Sequence, residues 1–298
     1  MTRLRIERAS PLATIQDKGR FGQLAQGISA SGPMDEAAYR RAGLMAGSAD
    51  HAAIEFTRAG LDMRILEGEV RLAWDGGQFL ARSGGEALPW PGYALFRAGD
   101  RLGIAPGPAG NYGYLRFGAA LDLAPVLGSR ATNSRAGFGG LDGRALLAGD
   151  ELVLTGPGVA QEAPEQPERQ DGPLRFIWGI HADRFTHEVR TAFLQAQFDV
   201  TTMMDRMGVR LADRAGVFAG ASILSLVSDP VLPGDIQILG DGTPIILMRD
   251  HQPTGGYPRI GTIIPRDLDR FAQVRPGGRV TFEPVSVDHA HRIMEGRA

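Results

Sequence analysis

PGDIQILGDGTPIILMRDHQPTGGYP, residues 233–258, sets two apolar runs, IQIL (236–239) and PIILM (244–248), on either side of Gly240-Asp241-Gly242-Thr243. Asp-Gly between apolar runs is a strong hairpin signal, because the tight turn asks for residues that tolerate positive φ. The second run ends in Asp250-His251-Gln252-Pro253-Thr254-Gly255-Gly256-Tyr257-Pro258. A polar Gly-Gly loop at a strand end is where functional sites tend to be built. This one carries a carboxylate, an imidazole, an amide, a hydroxyl and a phenol, enough to move protons and to hydrogen-bond an amide or urea-like molecule. The structural alternative is a turn network with Tyr257 as a packing residue.

Working outward, short β-type segments recur between turn signals at 61–74, 93–96, 101–105, 112–117, 174–180 and 221–228. They are too brief and too often broken by glycine for a helical layer. Four short helices are expected. One runs from an Asp35 cap through Met45 and ends at Gly47, and one starts from a Thr186 cap and closes before Phe198. The others cover 266–274 and 286–295, the latter following Ser286. The stretch AQEAPEQPERQDGP (160–173) has three prolines and almost nothing to bury, so 161–173 reads as a linker between an N-terminal domain (1–160) and a C-terminal domain (174–298). The 41 Gly and 19 Pro among 298 residues fit a mostly β chain with frequent turns.

The formal net charge of -2 gives no field to draw in nucleic acid or an anionic membrane. Absence of cysteine removes disulfides, thiolate catalysis and Cys-ligated metal. No segment reads as a signal peptide or membrane span, so a cytoplasmic protein is expected. His289 and His291 diverge on a helix, and His181 with Asp183 falls short of a ligand set, so no intrinsic metal is expected. Lys18 is the one lysine. Its surroundings, Gln16-Asp17-Lys18-Gly19-Arg20, are neither a Walker A loop nor a biotin-accepting site.

Three further stretches combine glycine, hydroxyl or amide groups and charge. Thr14–Asp35 offers Arg20, Gly22, Ser31 and Asp35, with Asp35 equally a helix cap and Arg20 equally a structural ion-pair partner. Gly128-Ser129-Arg130-Ala131-Thr132, followed by 139–144, offers backbone N–H groups, hydroxyls and guanidinium forks suited to a carboxylate or phosphate. Asp205-Arg206-Met207-Gly208-Val209-Arg210-Leu211 places like charges at 206 and 210, with an intrachain ion pair as the alternative.

Taken together, TIQDKGRFG with SGPMD (31–35), GSRAT with GGLDGR, DRMGVRL, the 233–258 block and DLDRFAQVRPG (267–277) resemble the biotin-dependent carboxyltransferase family. That family includes the C subunit of bacterial 5-oxoprolinase, the second allophanate hydrolase subunit and Kip-type regulators. The resemblance covers nearly the whole chain. It implies two cyclophilin-like β-barrel domains and a role as the C subunit of an ATP-dependent 5-oxoprolinase, opening 5-oxoproline to glutamate together with subunits A and B. The chain is then inactive alone, with ATP and magnesium used in the assembled complex. Two alternatives stay open. One is the carboxyltransferase component of a urea-type carboxylase, with biotin presented by a partner rather than attached to this chain. The other is a non-catalytic regulatory subunit. In the 5-oxoprolinase reading Asp250, Gln252, Thr254 and Tyr257 are the catalytic candidates. Arg20, Gly22, Ser31, Asp35, Ser129, Arg130, Arg206, Gln237, Gly255 and Gly256 are the substrate- or anion-binding candidates. The chain departs from the family pattern at Ala42-Gly43, Gly47-Ser48, 74–77 and 118–120, which leaves room for a different amide substrate.

Overall fold

The computed structural model describes residues 1–48, 50–156, 172–220 and 226–296. The chain divides into two compact units, Met1–Gly22 with Ala30–Gln166, and Gln23–Ser29 with Pro167–Ala298. Both are mostly β, each built on a sheet that curls on itself, as expected. The expected linker lies, for residues 161–171, outside the described residues.

In the first unit the strands are β1 (Thr2–Ala9), β2 (Thr14–Gln16), β3 (Ala53–Thr57), β4 (Leu61–Glu67), β5 (Glu69–Ser83), β6 (Glu86–Leu88), β7 (Gly92–Arg97), β8 (Arg101–Phe117), β9 (Ala120–Leu121) and β10 (Glu151–Thr155). Their order is β2-β3-β8-β4-β1-β10-β9, with β5 joining β8 to β6 and β7. Alternation buries Leu4, Ile6, Met63, Ile65, Leu72 and Trp74 on the inner face. The segments expected at 101–105 and 112–117 are one strand. Gly-Pro residues at 106–110 pass through it beside register shifts at Gly76/Gln78 and Gln78/Leu80, so they make bulges and not a break.

Helix α1 (Glu36–Ala46) lies against β5 and β8. The Asp35 carboxylate accepts from the Ala38 N–H at its start, and Gly47 ends it at φ 66. Gly43 leaves space that the Arg116 guanidinium fills: a Cβ there would stand 2.7 Å from Arg116 Nη1. Arg116 in turn stacks 4.3 Å from the Tyr39 ring centroid. That departure from the family pattern is a packing accommodation.

In the second unit the strands are β11 (Leu174–Trp178), β12 (Phe198–Met204), β13 (Gly208–Ala212), β14 (Asp229–Pro230), β15 (Asp235–Ile238), β16 (Pro244–Leu247), β17 (Thr254–Gly255), β18 (Arg259–Ile263), β19 (Arg279–Val280) and β20 (Phe282–Pro284). Eight of them run in the order β19-β12-β13-β16-β15-β18-β11-β20, and β14 pairs with β17. The expected hairpin forms, with Ile236 opposite Ile246 and Ile238 opposite Pro244. Helices α2 (His187–Gln195) and α4 (Val287–Met294) carry the expected Thr186 and Ser286 caps, and α3 (Pro265–Ala272) begins with proline in its first turn. The core is aromatic: Phe176, Phe193, Phe198 and Phe282 meet ring to ring, and a Cβ at Gly261 would collide with Phe176. Of the 221–228 run, 221–225 lie outside the described residues and 226–228 carry no strand.

Candidate functional site

The central strands of the second unit have two unlike faces, as a two-residue period requires. Val209, Leu211, Ile236, Ile238 and Ile246 point into the core, each at most 2% exposed. The opposite face carries a row across three strands: Arg210 on β13 stands opposite Ile245 on β16, and Ile245 opposite Gln237 on β15. Gly208, Leu247 and Leu239 flank this row, and the face floors an open cavity of about 600 Å³. Met203, Met204, Asp205 and Met207 at the β12–β13 turn, and Gln252 and Tyr257 from the loop after β16, form its walls.

Two anchors hold that loop in place. The Asp205 carboxylate accepts from the Met207 and Gly208 N–H groups at 2.7 and 3.1 Å, which fixes the β12–β13 turn. Arg206 then grips Asp250 through Nε and Nη2 at 2.9 and 3.1 Å, while the Asp250 N–H donates to the Arg206 carbonyl at 2.7 Å. Both side chains of the pair are almost fully buried. The His251 ring lies 2.6 Å from the Gln252 carbonyl through Nδ1, and burial lowers its pKa below the ordinary 6.5, so at neutral pH it is uncharged with the proton on Nδ1. Beyond it, Gly255 and Thr254 on β17 pair with Asp229 and Pro230 on β14.

Gln237 is the polar centre of the floor. It is 1% exposed, its Oε1 lies 3.5 Å from Gln252 Nε2, and its own Nε2 has no hydrogen-bond partner among the described residues. Gly255 packs so tightly on it that a Cβ there would overlap Nε2. A buried amide N–H without a partner costs about 1–3 kcal/mol, and a ligand oxygen would recover that cost.

The structure therefore brings Gln237, Gln252, Gly255 and Tyr257 to one cavity and sets Asp250 beneath it, locked to Arg206. Thr254 is exposed on β17 and Gly256 is half-buried, its carbonyl accepting from the Leu226 N–H at 2.6 Å. Sequence reasoning reaches Arg210 only as a like-charged neighbour of Arg206. The signal that finds it is strand parity, since it shares a face with Gly208 and not with Val209. It makes no ion pair among the described residues, and its electrostatic partner there is exposed Asp241 at the hairpin tip.

The remaining candidates stand in the first unit. The Arg20 guanidinium, 1% exposed, donates to the carbonyls of Val126, Ser129 and Ala131 at 2.9, 3.1 and 2.9 Å and lies over the Phe138 ring. Asp17 accepts from the Ser129 hydroxyl at 2.5 Å and from the Arg130 N–H at 2.6 Å, while the Arg130 side chain pairs with Asp50 at 3.0 Å and donates to the Leu123 carbonyl. These contacts stitch residues 17–20 to 123–131. Asp35 caps α1, Gly22 is exposed, and Ser31 sits buried at φ 58 with its hydroxyl unpartnered among the described residues. Among the described residues no group of three or more His, Asp or Glu is arranged to hold a metal ion.

Residues 26–284 match the family model described as carboxyltransferase domain, subdomain A and B. The chain is 34% identical over 297 residues to the Escherichia coli protein named as the C subunit of 5-oxoprolinase, an alignment covering 98% of this chain and 94% of that one. It is 28% identical to a urea amidolyase of Lachancea kluyveri, of which it spans 17%. Among solved structures, the K. lactis urea amidolyase superposes with a TM-score of 0.89 at 24% identity, over 99% of this chain and 19% of that one. A floor of alternating strands, a walled cavity and a full-length match agree, and the chain belongs to the carboxyltransferase family built of subdomains A and B.

Proposed function

We propose that this chain is the C subunit of an ATP-dependent 5-oxoprolinase, working with subunits A and B to open the lactam of 5-oxoproline to glutamate. The carrying observation is the 34% identity to the Escherichia coli 5-oxoprolinase component along almost the full length of both chains. The cavity supports it in kind: amide groups, a phenol and a guanidinium over an apolar floor suit a small cyclic amide.

The lactam is a poor electrophile, and ATP supplies the activation when bound, by phosphorylating the amide oxygen so that water attacks a carbon with a better leaving group. Within the cavity one guanidinium and one carboxylate, the latter engaged in its own turn, do not make a triphosphate and magnesium site. ATP and magnesium are accordingly assigned to the assembled complex. What this chain's residues do is bind and orient: the Arg206–Asp250 pair holds the loop, and Gln252 and Tyr257 present hydrogen-bonding groups to the ligand.

Reconstitution with subunits A and B tests the assignment. Glutamate formation and ATP hydrolysis dependent on 5-oxoproline should require all three chains, and full activity from A and B without this one would end the proposal. The urea amidolyase match supports a second reading, carboxyl transfer from a partner's carboxybiotin to a urea-like acceptor. In that case carboxybiotin would turn over in the presence of urea with no need for 5-oxoproline.

A further inference from the structure

The floor row offers two unmatched polar groups on either side of an apolar residue. Arg210 and Gln237 both stand opposite Ile245, so they share its face. Two strand spacings separate their backbones by about 10 Å. Two hydrogen bonds of about 2.9 Å each take up more than half of that span. What is left is the separation, about 4 Å, between a carboxylate and a carbonyl oxygen that flank a single nitrogen. Between them Ile245, with Leu239 and Leu247 beside it, offers methyl groups to the methylenes of a small ring. The Gln237 Nε2 donor is buried and lacks a partner among the described residues, and Gly255 is the residue that leaves it room. Arg210 carries a fork able to take a carboxylate bidentately and has no ion pair among the described residues.

We propose that Arg210 and Gln237 form a two-point clamp for a small cyclic amide bearing a carboxylate next to its ring nitrogen, with Arg210 taking the carboxylate and the Gln237 amide N–H donating to the ring carbonyl. The proposal rests on the 5-oxoprolinase reading for its ligand class and adds which residues recognise each end. In this arrangement Arg210 sets selectivity for the acid and Gln237 sets affinity for the amide.

Titration calorimetry separates the two roles. 5-Oxoproline and 2-pyrrolidinone, the same lactam without the carboxylate, are titrated into the full chain and into its complex with subunits A and B. In at least one preparation 5-oxoproline should bind about tenfold or more tightly, the margin one charge-assisted pair provides. Arg210→Gln should erase that preference while leaving 2-pyrrolidinone binding in place, and Arg210→Lys should restore part of it. Gln237→Leu should weaken both lactams about tenfold. Gly255→Ala, which presses a methyl onto the same amide, should do likewise and stands in if Gln237→Leu fails to fold. The clamp is overturned if the preference survives Arg210→Gln, if wild type binds both lactams equally, or if neither preparation binds either. Turnover of 5-oxoproline by the three-subunit complex without these binding differences sinks the clamp alone. The binding differences without turnover sink the 5-oxoprolinase assignment alone.

Discussion

Removing the Asp250 carboxylate would strand a guanidinium, because Arg206 is held by two hydrogen bonds to it and is almost fully enclosed. Breaking a buried pair by deleting one partner costs about 3–5 kcal/mol. Asp250→Ala should therefore lower the unfolding free energy of the second unit by that amount in urea titrations, and the double change Arg206→Met with Asp250→Leu should recover most of it. If the single variant unfolds like wild type, the pair is not what holds the loop. Next along the chain, burial keeps His251 neutral below its ordinary 6.5, against the pull of Asp235 and Asp250 and together with the push of Arg249. Because the unfolded chain takes up a proton that the folded one resists, stability is full above 6.5 and falls as pH drops through it. His181 and His51 are shifted in the same direction and add the same sign. The unfolding free energy should thus rise with pH between about 5 and 6.5, with a shallower rise in His251→Asn. An unchanged slope would remove His251 from the account.

Elements repeat the lesson that local chemistry is readable where it is self-contained. The hairpin was legible because Asp241-Gly242 and two apolar runs sit within a short span, and the Asp35, Thr186 and Ser286 caps because each cap acts on the first turn that follows it. The single strand β8 was not, since whether glycine and proline end a strand or bulge it depends on β5, which is remote in sequence. Gly107 shows this: a Cβ there would overlap the Gln78 carbonyl across the sheet. The clamp row was hidden for the same reason, as Arg210 and Gln237 become neighbours only through the register of β16. Two measurements belong here. Asp35→Ala should lower stability by about 1 kcal/mol and Asp35→Ser should restore it, as for a cap; if serine fails to rescue, the carboxylate has a duty beyond α1. Gly261→Ala should cost about 1–3 kcal/mol through overpacking against Phe176, read as a drop in thermal midpoint.

For the molecule as a whole, the mostly β architecture followed from glycine and proline frequency and from short alternating runs, and the family from motifs spread along the chain. The division into units was harder to read, because Gln23–Ser29 groups with the later residues and not with its own neighbours. Replacing 23–29 with a Gly-Ser linker of equal length should reduce hydrogen-exchange protection across β12, β13, β15 and β16 while leaving β1, β4 and β8 unaltered; equal protection in both would show that the segment contributes nothing to the second unit.

That early segment also imposes an order of events during synthesis. It leaves the ribosome some 140 residues ahead of the strands it belongs with, an interval of roughly ten to thirty seconds at ordinary elongation rates. The nascent first unit must therefore close while carrying a seven-residue piece that has no home yet, and swapping halves between homologues at the proline-rich junction would separate the later barrel from its earliest-made part.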